Sequence, residues 1–74
     1  MRILHYRGLD TRRVQKAFDK VRQALIREDF HSAQIKKLAP TPYWRARLDD
    51  SNRLLLQFVR HADETVCLLL EVIP

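Results

Sequence analysis

Cysteine, glycine and long apolar runs are scarce in this chain, and each scarcity excludes something. One cysteine, Cys67, rules out an intrachain disulfide. Its place inside an apolar run reads as a small buried or half-buried hydrophobe rather than a reactive thiol. A single glycine and 46% apolar residues exclude a disordered tail or flexible linker. His5, His31 and His61 have neither the spacing nor the Cys and carboxylate company of a metal site, so no metal and no cofactor is expected. No apolar run approaches a membrane span, and the N-terminus lacks a signal peptide's apolar core. A cytoplasmic setting without a membrane partner is the resulting expectation.

What the chain has in excess is positive charge. Fourteen Lys and Arg against nine Asp and Glu give a net charge of +5 and a pI near 10.0. Such a balance fits a polyanionic partner such as nucleic acid, or a solubilising excess. At 74 residues the chain is one domain over residues 1–74, near the lower limit for a core that closes without metals or disulfides. It stops at Pro74 directly after its most apolar strand, which points to a domain lacking its C-terminal end or cut from something longer.

Met1 to Tyr6 has the loose alternation and β-branched or aromatic content of a strand. Gly8 breaks it, and Asp10 or Thr11 is a credible N-cap. From Thr11 to about Arg27, Val14, Ala17, Phe18, Val21, Ala24 and Leu25 recur at three and four residues, one face of a helix. Arg12, Arg13, Lys16, Lys20, Arg22 and Arg27 occupy the rest, either tracking phosphates or facing solvent. Glu28 to Pro42 reads as a connection with one helical turn, pinned by Phe30, Ile35 and Leu38 and ended by Pro40 and Pro42.

Tyr43 to Ile73 reads as three antiparallel strands. Asp49, Asp50, Ser51 and Asn52 suit a bulged hairpin turn. That turn pairs Leu48 with Leu54, Ala46 with Leu56 and Trp44 with Phe58. A three-residue connection at His61, Ala62 and Asp63 pairs Arg60 with Glu64, Phe58 with Val66, Leu56 with Leu68 and Leu54 with Leu70. One face is then wholly apolar and takes the helix as its cover. The other collects Tyr43, Arg45, Arg47, Arg53, Leu55, Gln57, Val59, Thr65, Cys67, Leu69, Glu71 and Ile73, with Arg53 directly across from Glu71 as an ion pair.

A basic amphipathic helix, then KKL, a proline loop, YWRARL, a polar turn, NRLLLQFV and VCLLLEVI together resemble the RelE and ParE superfamily of toxin-like domains, over about Leu9 to Ile73. The resemblance implies an α/β (α+β) domain: an antiparallel three- to four-stranded sheet with one amphipathic helix on one face and a basic opposite face. In RelE-like members that face cleaves messenger RNA on the ribosome without a metal. Carried over by position, Arg45, Arg47 and Arg53 would orient the scissile phosphate; Lys36 and Lys37, whose charge leads into the same strands, are expected to join them in binding nucleic acid.

The chain departs from the family in ending before the basic residue and the terminal Tyr or His that such nucleases use past the last strand. Arginine does not act as a base near neutral pH, so cleavage by these three alone would lack one. Tyr43 is a conceivable substitute, although an aromatic at a strand start is more often packing. ParE-like members act on DNA gyrase instead. The expected partners are RNA or the ribosome, with an antitoxin or neighbouring domain over Leu55, Val59, Leu69 and Ile73. The alternative is a non-catalytic module at the N-terminus of a larger nucleic-acid enzyme such as a helicase, or arginines that form a solvated sheet face.

Overall fold

The computed structural model describes residues 1–74. Strand β1 (Arg2–His5) leads through a short 3-10 turn (Arg12–Val14) into helix α1 (Gln15–Ile26) and the single-turn helix α2 (Phe30–Ala33). Four strands follow: β2 (Ile35–Lys37), β3 (Trp44–Arg47), β4 (Arg53–His61) and β5 (Glu64–Ile73). The sheet order is β1-β5-β4-β3-β2. Neighbours are antiparallel except β1, which lies parallel to β5. The α+β architecture with a helix on one side is as expected, built on five strands rather than three or four.

Helix α1 forms where its apolar spacing demands. Val14, Phe18, Val21, Ala24 and Leu25 are buried. The Asp10 carboxylate accepts the Arg12 backbone N–H at 3.1 Å and starts the turn. Its pKa is held down to about 2, chiefly by the Arg12 side chain. The helix ends with Glu28 in the left-handed region at φ 58°. There Glu28 N–H reaches Leu25 O and Asp29 N–H reaches Ala24 O at 3.0 and 2.8 Å, the paired closure that normally uses glycine. Asp29 then caps α2 by accepting the Ser32 N–H at 3.2 Å.

The core joins Phe18, Val21, Ala24, Leu25 and Ala33 to Ala46, Leu54, Leu56, Cys67 and Leu69 of the sheet. Each fully buried leucine among them is worth on the order of 1.5–3 kcal/mol of apolar burial. Phe30, Trp44 and Phe58 extend the core as edge-to-face pairs with ring centroids 5.6 and 5.8 Å apart. His5 packs edge-on against Phe18 at 5.7 Å. Cys67 lies wholly within the core, and burial pushes its thiol up to about 12.

Both hairpin registers differ from expectation, in unequal ways. In β3–β4, Ala46 opposes Leu54 and Trp44 opposes Leu56, two steps from the expected pairs. Asp49 closes this turn by accepting the N–H groups of Ser51 and Asn52, both at 2.8 Å. An even slip leaves every side chain on its expected face.

In β4–β5 the turn has two residues, Ala62 and Asp63, both left-handed at φ 50° and 65°, so His61 opposes Glu64 and Phe58 opposes Cys67. This odd slip turns Cys67 and Leu69 toward α1 where Val66, Leu68 and Leu70 had been expected; Leu68 and Leu70 are then half-buried, while Val66 is still buried at 1%. A bulge between Leu55 and Leu56 leaves Leu70 without a partner and restores the opposite phase, so Leu54 faces Val72 and Leu55 faces Glu71.

Candidate nucleic-acid interface

The face of the sheet turned away from α1 carries the basic residues, and register shows how they are grouped. Lys36, Arg45, Leu55 and Glu71 form one row across β2, β3, β4 and β5. Arg47, Arg53 and Ile73 form the next. Adjacent strands lie about 4.8 Å apart and residues of one face repeat at about 6.8 Å along a strand. Lys36, Arg45, Arg47 and Arg53 therefore share one compact patch, with Arg45 and Arg53 half-buried and Lys36 and Arg47 exposed.

These side chains are held to different degrees. The Arg53 guanidinium donates to the carbonyls of Asp49 and Asn52 at 2.5 and 3.0 Å, which locks it against the hairpin turn. The Asp49 carboxyl that braces this turn sits below the ordinary carboxylate range, chiefly because the Ser51 N–H and the Asn52 side chain donate to it. Arg47 pairs with the exposed Asp50. Lys36 and Arg45 enter no ion pair. They are the cations of the row with charge to offer an incoming anion.

Several expected members leave this face, Thr65 and Cys67 with the reversed phase of β5 and two more. Lys37 follows Lys36 by one residue and so points to the helix side, where its Nζ stands 5.2 Å over the Trp44 ring. Leu69 is fully buried in the core, because the two-residue turn reverses the phase of β5. Leu55, Val59 and Ile73 remain on the open face, half-buried. The anticipated Arg53–Glu71 ion pair is absent: Arg53 faces Ile73, and Glu71 faces Leu55.

One group of residues on this face was not anticipated as a unit. Leu4, Tyr6 and Tyr43 are the large apolar side chains most open to solvent, at 37%, 59% and 36%. Tyr6 and Tyr43 border a cleft of about 350 Å³ with Leu55, Leu70 and Glu71. The signal for Tyr6 lay in the alternation of β1. Its meeting with Tyr43 depends on the parallel pairing of β1 with β5, which no local pattern announces.

No protein-family model matches the sequence, and no curated protein does. Among solved structures, the YoeB/ParE toxin from Agrobacterium tumefaciens matches this chain with a TM-score of 0.66 at 12% identity. The match covers 99% of this chain and 96% of that one. The chain has a RelE/ParE-like fold. In this fold, α1 backs the sheet and the opposite face presents Lys36, Arg45, Arg47 and Arg53. No helix is long and apolar enough to cross a membrane.

Proposed function

We propose that this RelE/ParE-like domain is a toxin-type module whose basic sheet face binds RNA, with ribosome-associated messenger RNA as the target class. The observation that carries this reading is the convergence of Lys36, Arg45, Arg47 and Arg53 on one open sheet face, three of them without an ion pair. Arginines in such a place neutralise phosphate charge and fix its orientation, and in a transition state they would stabilise charge on the transferring phosphoryl oxygens. Cleavage also needs a proton acceptor, which arginine does not supply. The role assigned to Arg45, Arg47 and Arg53 is therefore phosphate binding and orientation, with metal-independent endoribonuclease chemistry dependent on a further base.

A protein inhibitor of the antitoxin kind fits the same face through Leu55, Val59 and Ile73, which would otherwise leave apolar surface in water. The test is a gel shift with a labelled single-stranded RNA in the presence of EDTA. The unsubstituted chain retards the RNA, and the Arg45→Ala/Arg53→Ala variant loses at least tenfold in affinity. Absence of retardation at low salt refutes the reading.

A further inference from the structure

The cleft between Tyr6 and Tyr43 lies one strand from the unpaired Arg45, because its floor residue Leu55 is the register partner of both Arg45 and Glu71. Charge is divided across it: Lys36, Arg45, Arg47 and Arg53 lie toward β2, β3 and β4, while the Glu71 carboxylate lies on β5. A phosphate is drawn to the first side and repelled from the second. The cleft itself therefore suits an uncharged group, with an anion better placed beside Arg45.

The cleft is also built, in a way that explains the chain's one glycine. Gly8 does not adopt a positive φ, so conformational freedom is not its reason. A Cβ there would stand 2.9 Å from Cε2 of Tyr6. The missing side chain makes room for the Tyr6 ring, and the bonds from Tyr6 N–H to Leu69 O and from Leu9 N–H to Tyr6 O, at 2.8 and 3.0 Å, fix the backbone that carries it. A largely exposed tyrosine is thus seated at the cleft rim.

The bulge in β5 does the same for Glu71. Without the extra residue Leu70, position 71 would continue the inward phase of Cys67 and Leu69 and drive a carboxylate at the core. With it, Leu70 and Glu71 both line the cleft.

Resting on the reading of the basic face as an RNA surface, we infer that this cleft holds one unstacked base of a single-stranded RNA, with Tyr6 and Tyr43 as stacking surfaces and Glu71 selecting guanine. Aromatic side chains stack on any base, so the tyrosines supply affinity without sequence preference. The carboxylate supplies the preference. Glu71 enters no ion pair, and its two oxygens accept from the adjacent N1–H and N2–H donors that guanine alone presents on its Watson–Crick edge. Uracil, with one donor between two carbonyls, meets repulsion there.

The experiment is fluorescence polarisation with the full chain and three labelled RNAs: an oligouridine, the same strand with one central guanosine, and the same strand with an abasic nucleotide at that position. Guanosine binds most tightly and the abasic strand most weakly, the loss of the base costing about 5- to 150-fold, the equivalent of roughly 1–3 kcal/mol per stacked base. Tyr6→Ala and Tyr43→Ala bring all three RNAs toward the abasic affinity with the salt dependence unchanged. Gly8→Ala does so more mildly, and Glu71→Gln removes the preference for guanosine over uridine.

Because Tyr6 is largely exposed, its Ala variant keeps the parent melting temperature. Equal affinity for the three RNAs, or a guanosine preference that survives Glu71→Gln, overturns the cleft while leaving phosphate binding intact. No RNA binding by the parent chain overturns the underlying reading and the cleft with it.

Discussion

Replacing Leu69 with Ala removes a side chain that is 0% exposed, opposes Leu56 and belongs to the core beneath α1. Truncations of this kind cost about 2–5 kcal/mol, because the cavity left behind closes only in part. A domain of this size has on the order of 4–11 kcal/mol in total at about 0.05–0.15 kcal/mol per residue, so the change removes a large share. Leu68 is its control. It sits one residue away on the opposite face, across from Gln57 and half-buried, and Leu68→Ala should cost about 1 kcal/mol. Urea unfolding followed by the fluorescence of Trp44, the single tryptophan, separates the two. A gap of about 2 kcal/mol or more between the midpoint-derived stabilities is expected. The reverse order would mean that β5 has the opposite phase, and Glu71 and the cleft would then be misplaced as well.

The β4–β5 turn holds Ala62 and Asp63 in left-handed conformations, which glycine and asparagine adopt at lower cost. The A62N/D63G double substitution should raise stability by about 1 kcal/mol and the melting temperature by roughly 4–8 °C. A lower melting temperature would refute the two-residue turn. Cys67, buried and with its thiol pushed up to about 12, should react with a disulfide reagent at pH 8 only as the chain unfolds. Because that raised value favours the protonated native form, its contribution to stability is present below about pH 9 and declines between about pH 9 and 12. Rapid labelling of the folded chain would contradict the burial. Asp49→Ala should loosen the turn that anchors Arg53 and weaken RNA binding more than Asp50→Ala. The Asp49 carboxyl is lowered, so its stabilisation holds above the ordinary carboxylate range and is lost as pH falls below it, which acid titration of the parent and variant would reveal.

Helix α1 was legible because its apolar residues repeat at three and four positions with few exceptions. Arg45, Arg47 and Arg53 were placed on the correct face although their hairpin pairs differently, since a slip of two preserves the alternation of a strand. Val66 to Leu70 hid its phase. Five consecutive apolar residues satisfy either register, and a two-residue turn without glycine carries no signal to choose between them. Strand β2 was concealed by its three-residue length and by Pro40 and Pro42 beyond it. Lys37 was grouped with Lys36 by charge, whereas adjacent strand residues face opposite sides. Tyr6 belongs to a site that only the parallel β1–β5 pairing assembles.

The central claim is that the open sheet face, and not the chain's overall positive charge, binds RNA. The neighbouring lysines test it most directly, since Lys36→Gln and Lys37→Gln change net charge equally on opposite sides of the sheet. The measurement is the slope of log affinity against log salt for a single-stranded RNA. With Lys36→Gln the slope should flatten by about 0.7, the value of one single-strand phosphate contact, and with Lys37→Gln it should match the parent. Equal changes for both lysines would contradict the account.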